Sequence, residues 1–293
     1  MSTEFELIEL FRSIGADYYK ENGIVAGPGD DCAIFDIKTP VVTSVDSSLA
    51  DVHFPSNAPA EDIAYRSVAI ALSDIAAMGC KPLAFSLAVS ALEENKNWYE
   101  KMADGVNKIA EEFKIALIGG DLTRGPLNIN VVAYGTPYAG NKILMRNNAQ
   151  PGDIICISKP TGRARKGLID WKMKNYDSVY IKDYFRPLPQ IKLGKEIANI
   201  ASACIDTSDG LLADLNKMLR ASECGALINI DRIPITTDLD DLNYGDDYDL
   251  CFTIPAAKLK NNYFKIGEVT LNKEIKLISD KGYDVSIKGY EHF

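Results

Sequence analysis

The sequence predicts two mixed domains, an α/β domain followed by an α+β domain. Three observations carry the prediction. Strand and helix patterns alternate in both halves, as layered folds of these classes require. The 293 residues, 46% of them hydrophobic, suffice for two cores of ordinary size. Around 136–152 the pattern loosens into Thr136-Pro-Tyr-Ala-Gly-Asn and Asn147-Asn-Ala-Gln-Pro-Gly-Asp153, which places the boundary between domains 1–138 and 139–293.

Residues 5–14 have the spacing of a short amphipathic helix, and a loop is expected from there to Gly29. Strands follow at 32–36 and 40–46. Pro59 suits a first helical position, and a helix is expected from it to Met78, stopping at Gly79. Its stripe is Ala64, Val68, Ala71, Ile75 and Met78. A helix near 97–113 leads into a strand over 115–118. Leu127, Ile129, Val131 and Ala133 then alternate with polar residues as a half-buried strand does. The second half predicts a strand at 153–158, a helix over 187–201, a strand ending at Asp206, a helix from Leu211 to Ala221, and strands near 226–230 and 249–254. No tandem repeat is present.

Composition narrows the function. A formal charge of −9 and a pI near 4.9 are the wrong sign for binding a nucleic-acid backbone. The six cysteines are scattered without a CxxC pair, and the two histidines are His53 and His292, so a zinc site is not expected. The first twenty residues lack the basic start and apolar core of a signal peptide, and no run approaches the roughly 18 apolar residues of a membrane span. A cytoplasmic protein without a membrane partner is expected.

Four segments end a small or apolar run on aspartate: Gly27-Pro-Gly-Asp-Asp31, Val41-Val-Thr-Ser-Val-Asp46, Ile118-Gly-Gly-Asp121 and Cys204-Ile-Asp-Thr-Ser-Asp-Gly210. No GxxxxGK[ST] loop accompanies them. Carboxylates at strand ends would supply hard oxygen ligands on one edge of a sheet, where magnesium ions sit between phosphates. Asp74 lies within a helix apolar nearly all round, so it must meet a metal, an arginine such as Arg66, or a helix end. Ser208 or Asp209 reads equally as an ordinary N-cap for the following helix. Gly119–Thr123 reads equally as a β-turn, His53 as a loop histidine, and Arg146 as a surface charge. Arg163, Arg165 and Lys166 read as a solvated basic patch or as a steering surface for an anion.

The joint order of these motifs is more specific than any one. Gly29-Asp-Asp-Cys-Ala33, Asp46 with His53-Phe54, Ser73-Asp-Ile-Ala-Ala-Met-Gly79 with Pro82, Gly119-Gly-Asp-Leu-Thr123, Arg146 with Pro151-Gly-Asp153, Arg186-Pro-Leu-Pro189, Asp206-Thr-Ser-Asp-Gly-Leu211, Gly245-Asp-Asp-Tyr-Asp-Leu250 and the closing Lys288–Phe293 resemble the thiamine-monophosphate kinase family across almost the whole chain. The resemblance implies the two-domain fold of aminoimidazole ribonucleotide synthetase, with an N-terminal metal- and ATP-binding domain that makes a homodimer through its sheet. It implies transfer of the ATP γ-phosphoryl group to thiamine monophosphate, giving thiamine diphosphate.

By the same resemblance, magnesium is held by Asp30, Ser44, Val45 (through its carbonyl), Asp46, Asp74, Asp121, Asp206 and Asp209. ATP meets Gly120, Asp121, Arg146 and Ser208, and the substrate meets His53, Asp246 and Ile287. The family usually has glutamate at Asp246 and often tryptophan at Ile287. The nearest rival activities are another ATP-using synthetase of the superfamily and a metal-dependent phosphatase. An array of aspartates suits this chemistry, because the acceptor is a phosphate monoester, largely anionic near neutral pH, which needs charge neutralisation rather than a general base.

Overall fold

The structure, a computed structural model, describes residues 3–29, 31–92, 95–259 and 263–290. The chain divides into two compact units, Met1–Ile75 with Cys80–Pro137, and Ala76–Gly79 with Tyr138–Phe293.

The first unit opens on α1 (Glu4–Glu9), shorter than the predicted helix and held by a reciprocal capping box between Thr3 and Glu6. The expected loop contains a small ribbon, β1 (Ile24–Ala26) paired antiparallel with β2 (Ile34–Phe35). Then come β3 (Val42–Leu49) and α2 (Ala60–Ala77), which starts with Glu61 and Asp62 where the helix dipole favours acids. Ile63, Val68, Ala71, Leu72 and Ile75 are all buried, which explains why α2 is apolar nearly all round.

The strand that follows, β4 (Cys80–Ala91), has no counterpart in the sequence reading. Its alanines and serines carry little strand preference, and Pro82 argues against an interior strand. The pairing accommodates Pro82 at an irregularity between Pro82 and Ala84, opposite Gly135 and Tyr134. Asn95 caps α3 (Lys96–Phe113), and Lys114 ends it in a left-handed conformation. β5 (Ala116–Arg124) runs six residues beyond the expected strand end, and β6 (Asn128–Pro137) closes the unit. β4 and β5 are parallel, joined by α3 as a βαβ crossover, and the sheet order is β3-β6-β4-β5.

In the second unit β7 (Asp153–Ile157) is followed by α4 (Arg163–Lys172) and α5 (Tyr180–Phe185), neither of them predicted, which pack through Trp171 and Phe185 with ring centroids 4.8 Å apart. The predicted helix over 187–201 is confined to α6 (Ile191–Ile197), beyond Pro187 and Pro189. β8 (Ala203–Asp206), α7 (Leu211–Ala221), β9 (Gly225–Asn229) and β10 (Leu250–Pro255) lie where the sequence puts them. β11 (Phe264–Thr270) and β12 (Ile275–Ile278) were not expected. They complete a six-stranded sheet of order β12-β9-β11-β7-β10-β8. Leu211, Leu215, Met218 and Leu219 of α7 bury against Ile155, Ile205, Ile228 and Ile266. Among the described residues no helix is long and apolar enough to cross a membrane.

Candidate functional site

The first unit brings together three of the predicted metal ligands. Asp46 pairs with Val131 and Ser44 with Ala133, both buried, so the two polar side chains lie on the helix-covered face of β3. There Ser44 Oγ donates to Asp74 Oδ2 of α2. Asp46 Oδ2 is buried without a hydrogen-bond partner. Burial, and secondarily the neighbouring Asp74 carboxylate, push the Asp46 carboxyl up to about 7. Val45 points the opposite way and is 67% exposed.

Asp121 is not in this group. Its position pairs with Ala88, Ala88 with Asn130, and Asn130 with Ser47, which sets Asp121 on the exposed face of the sheet. β3 and β5 are opposite edges, separated by two strands, so Asp46 and Asp121 stand about 14 Å apart at ~4.8 Å per strand. The expectation that the acidic strand ends share one sheet edge is therefore corrected. The βαβ crossover places β5 beyond β4, away from β3, and Asp46 and Asp121 are interior to their strands. Gly119–Thr123 is strand, not a turn.

Gly120 is required there by close approach, since a Cβ on it would lie 2.0 Å from the Leu87 carbonyl oxygen. The same stretch borders a cleft of about 310 Å³, walled by Ile8, Phe11, Leu87 and Val89, with Arg12, Asp31 and Asp121 at polar positions. Asp30 lies outside the described residues. The His53 ring sits just beyond β3, its Nδ1 accepting from the Leu49 N–H at 3.0 Å, so a neutral ring carries its proton on Nε2.

The second unit gathers the others at the ends of β8 and β10. Asp206 closes β8 and is buried. Asp246 N–H donates to the Ser208 carbonyl at 2.9 Å, and Tyr248 N–H to that of Thr207 at 2.9 Å. Asp246 (φ 72) and Tyr248 (φ 49) both take left-handed conformations to make this zigzag. Gly245 permits the contact, because a Cβ there would meet Ser208 O at 2.1 Å. The cap expected from Ser208 or Asp209 is made otherwise: Gly210, φ 122, is the N-cap of α7.

Asp209 instead pairs with Lys217, which also holds buried Asp214 at 2.7 Å. Lys217 was missed by sequence reasoning, although its i,i+3 spacing from Asp214 is a readable signal. The chain around Arg146 is tied to this region: Cys204 N–H donates to the Met145 carbonyl at 3.3 Å, and Ser222 Oγ to that of Arg146 at 2.8 Å. The C-terminal segment joins it through Tyr290 N–H to Asp209 O at 3.0 Å, while half-buried Ile287 packs against the core.

Arg163, Arg165 and Lys166, in the first turn of α4, each have an acid. Arg163 meets Asp183, Arg165 meets Asp238 and buried Asp241, and Lys166 meets buried Asp170. They are structural ion pairs, neither a solvated patch nor a free steering surface.

Comparison with known proteins fits this arrangement. Residues 29–136 match the family described as AIR synthase related protein, N-terminal domain. The thiamine-monophosphate kinase of Buchnera aphidicola subsp. Schizaphis graminum is 37% identical over 278 residues, covering 88% of this chain and 84% of that protein. The chain belongs to the thiamine-monophosphate kinase family. A solved thiamine-monophosphate kinase, from Stenotrophomonas maltophilia K279a, is 34% identical with a TM-score of 0.83, covering 94% of this chain and 96% of that one. A structure of AaThiL complexed with AMPPCP and TMP shares the fold at 24% identity, with a TM-score of 0.79 over 100% and 99% of the two chains.

The carboxylate chemistry fits a hard divalent cation. Asp46 and Asp74 offer oxygen ligands beside one another, one of them an orphaned buried oxygen whose ionisation a cation would relieve. Among the described residues no three His, Cys, Asp or Glu side chains form a metal-binding group within this one chain.

Proposed function

We propose that this protein transfers the γ-phosphoryl group of ATP to thiamine monophosphate, forming thiamine diphosphate and ADP in the cytoplasm. The observation that carries the proposal is the Asp46–Asp74 pair with its buried, unpartnered Asp46 Oδ2, in a chain of this kinase family. Two carboxylates held side by side cost stability in the free protein, a cost that a bound cation would offset.

In this reading an oxygen of the substrate phosphate attacks the γ-phosphorus in line, and the bond from that phosphorus to the β–γ bridging oxygen breaks, the electron pair leaving with ADP. The acceptor monoester, with a second pKa of about 6, is already largely anionic at neutral pH and needs no residue to deprotonate it. Magnesium supplies neutralisation of the phosphate charges when bound. By the family resemblance, Asp30, Ser44, the Val45 carbonyl, Asp46, Asp74, Asp121, Asp206 and Asp209 would each serve as a ligand to one of several magnesium ions.

Gly120, Asp121, Arg146 and Ser208 would position ATP. The left-handed turn would fix Asp246 toward the cationic substrate, with His53 and Ile287 as further contacts. Because Asp121 stands about 14 Å from Asp46, its joining the same ions requires Asp121 from a second copy of the chain. A homodimer joined through the sheet, with Val45 and Leu49 of the exposed face in the joint and Asp121 of one copy reaching round the β3 edge to the helix-covered side of the other, meets that need.

Incubation of the purified protein with radiolabelled ATP, magnesium and thiamine monophosphate tests the proposal. Labelled thiamine diphosphate is expected. Free phosphate without it would replace the kinase with a phosphatase.

A further inference from the structure

The second unit holds a pocket that the kinase reading leaves unused. It is a cavity of about 180 Å³ at the start of α4, the end of α5 and the turn before β10. Lys159, Arg163, Lys182 and Arg186 line it, four cations on a chain of net charge −9. Three carboxylates face the same space, and two are accounted for. Asp183 Oδ2 is 2.6 Å from Arg163 Nη2. Asp247 accepts from the N–H groups of Gly162 at 2.7 Å and Ala164 at 3.0 Å and from Thr161 Oγ1 at 2.9 Å, which fixes it as the anchor of the α4 N-terminus.

The third, Asp249, is different. It is only 6% exposed, and its Oδ1 has no hydrogen-bond donor. Lys159 Nζ is its ion-pair partner at 3.0 Å, and a carboxylate oxygen so paired still has a lone pair for a further donor. Lys182, exposed on α5, has no acid paired with it among the described residues. The pocket thus combines surplus positive charge with one buried acceptor that lacks a donor. An anion bearing no proton would satisfy the cations and set its lone pairs against Asp249. An anion that keeps one proton satisfies both.

We propose that this pocket binds hydrogenphosphate, the cations holding its anionic oxygens and Asp249 Oδ1 accepting its P–O–H proton. The carboxylate makes the site selective, since sulfate at neutral pH has four acceptor oxygens and no proton to give. The site shares no residue with those assigned to ATP, magnesium or thiamine monophosphate, so its failure leaves the kinase reading standing.

Calorimetric titration of the full-length protein with sodium phosphate and with sodium sulfate, at pH 7 without nucleotide or magnesium, tests the proposal. Saturable phosphate binding is expected, with sulfate weaker by about tenfold or more. Lys182→Ala, at an exposed position that the fold does not use, should weaken phosphate by about tenfold. Asp249→Asn, whose amide can donate, should abolish the preference over sulfate. Equal affinity for the two anions in the wild type, no saturable phosphate binding up to about 20 mM, or unchanged binding in Lys182→Ala overturns the proposal. The last of these would place any bound phosphate elsewhere on the protein.

Discussion

Ser44 Oγ on β3 donates to Asp74 Oδ2 on α2, joining a strand and a helix through the one carboxylate of an otherwise apolar helical segment. The hydroxyl orients Asp74 beside Asp46 and leaves its other oxygen to a ligand. Asp74→Asn keeps the volume and removes the charge, so the protein should stay folded and lose turnover by about two or more orders of magnitude, the scale of one charge-stabilising contact in phosphoryl transfer. Ser44→Ala should cost less, since it frees the carboxylate without discharging it. Circular dichroism and steady-state rates at limiting magnesium check both. Near wild-type turnover in Asp74→Asn would remove Asp74 from the metal site.

The Asp46 carboxyl gives a pH signature to the metal-free protein. Its folded pKa is raised from 3.8 to about 7, so between these values the unfolded chain has released a proton that the folded chain keeps. Stability is then greatest below about pH 4 and declines as pH rises to about 7, by at most ~1.4 kcal/mol per unit from this group. In Asp46→Asn that decline disappears, so the difference in Tm between variant and wild type, measured with chelator present, should grow from pH 5 to pH 7.5 in the variant's favour. Magnesium at pH 7.5 should raise the wild-type Tm and leave the variant's nearly unchanged. A difference that is flat with pH would mean that Asp46 ionises normally.

Two adjacent glycines make unequal demands. A Cβ on Gly119 meets nothing closer than Ser86 Oγ at 3.9 Å, whereas one on Gly120 collides with the Leu87 carbonyl oxygen at 2.0 Å. Gly119→Ala should therefore change stability by less than about 1 kcal/mol, and Gly120→Ala should destabilise by about 3 kcal/mol or more by forcing β5 off β4. Urea unfolding of the pair measures this. Equal midpoints would refute the strand contact.

The sequence made long, strongly patterned elements legible. α2 announced itself by its apolar stripe and by Pro59 and Gly79 at its ends, and β6 by alternation. β4 did not, because a strand rich in Ala and Ser with Pro82 near its start owes its existence to the neighbours on both sides. α4 was hidden because its basic residues read as surface, while the acids of Arg163 and Arg165, Asp183 and Asp241, lie 20 and 76 positions away. For the site, the motifs indicated which residues matter but not their faces. Asp46 and Asp121 look equivalent as aspartates after apolar runs, and only the strand order puts them on opposite edges. The pairing of Asp246 with the Ser208 turn rests on two left-handed residues that no local signal demands, since neither position is glycine.

That separation leads to the sharpest test of the proposed assembly. If Asp121 serves the ions held by Asp46 and Asp74 of another copy, then Asp46→Asn and Asp121→Asn each spoil both sites of a homodimer. In a mixed dimer one site receives both defects and the other receives none. Mixing the two inactive variants under conditions that allow exchange should therefore restore activity, approaching about a quarter of the wild-type rate when subunits pair at random. Val45→Glu should suppress the recovery, because it buries a charge in the exposed sheet face proposed to join the copies. Sedimentation should show the parent protein as a dimer and Val45→Glu shifted toward monomer. Dimers that exchange freely and yet recover no activity would show that Asp121 acts within its own chain or outside the metal site altogether.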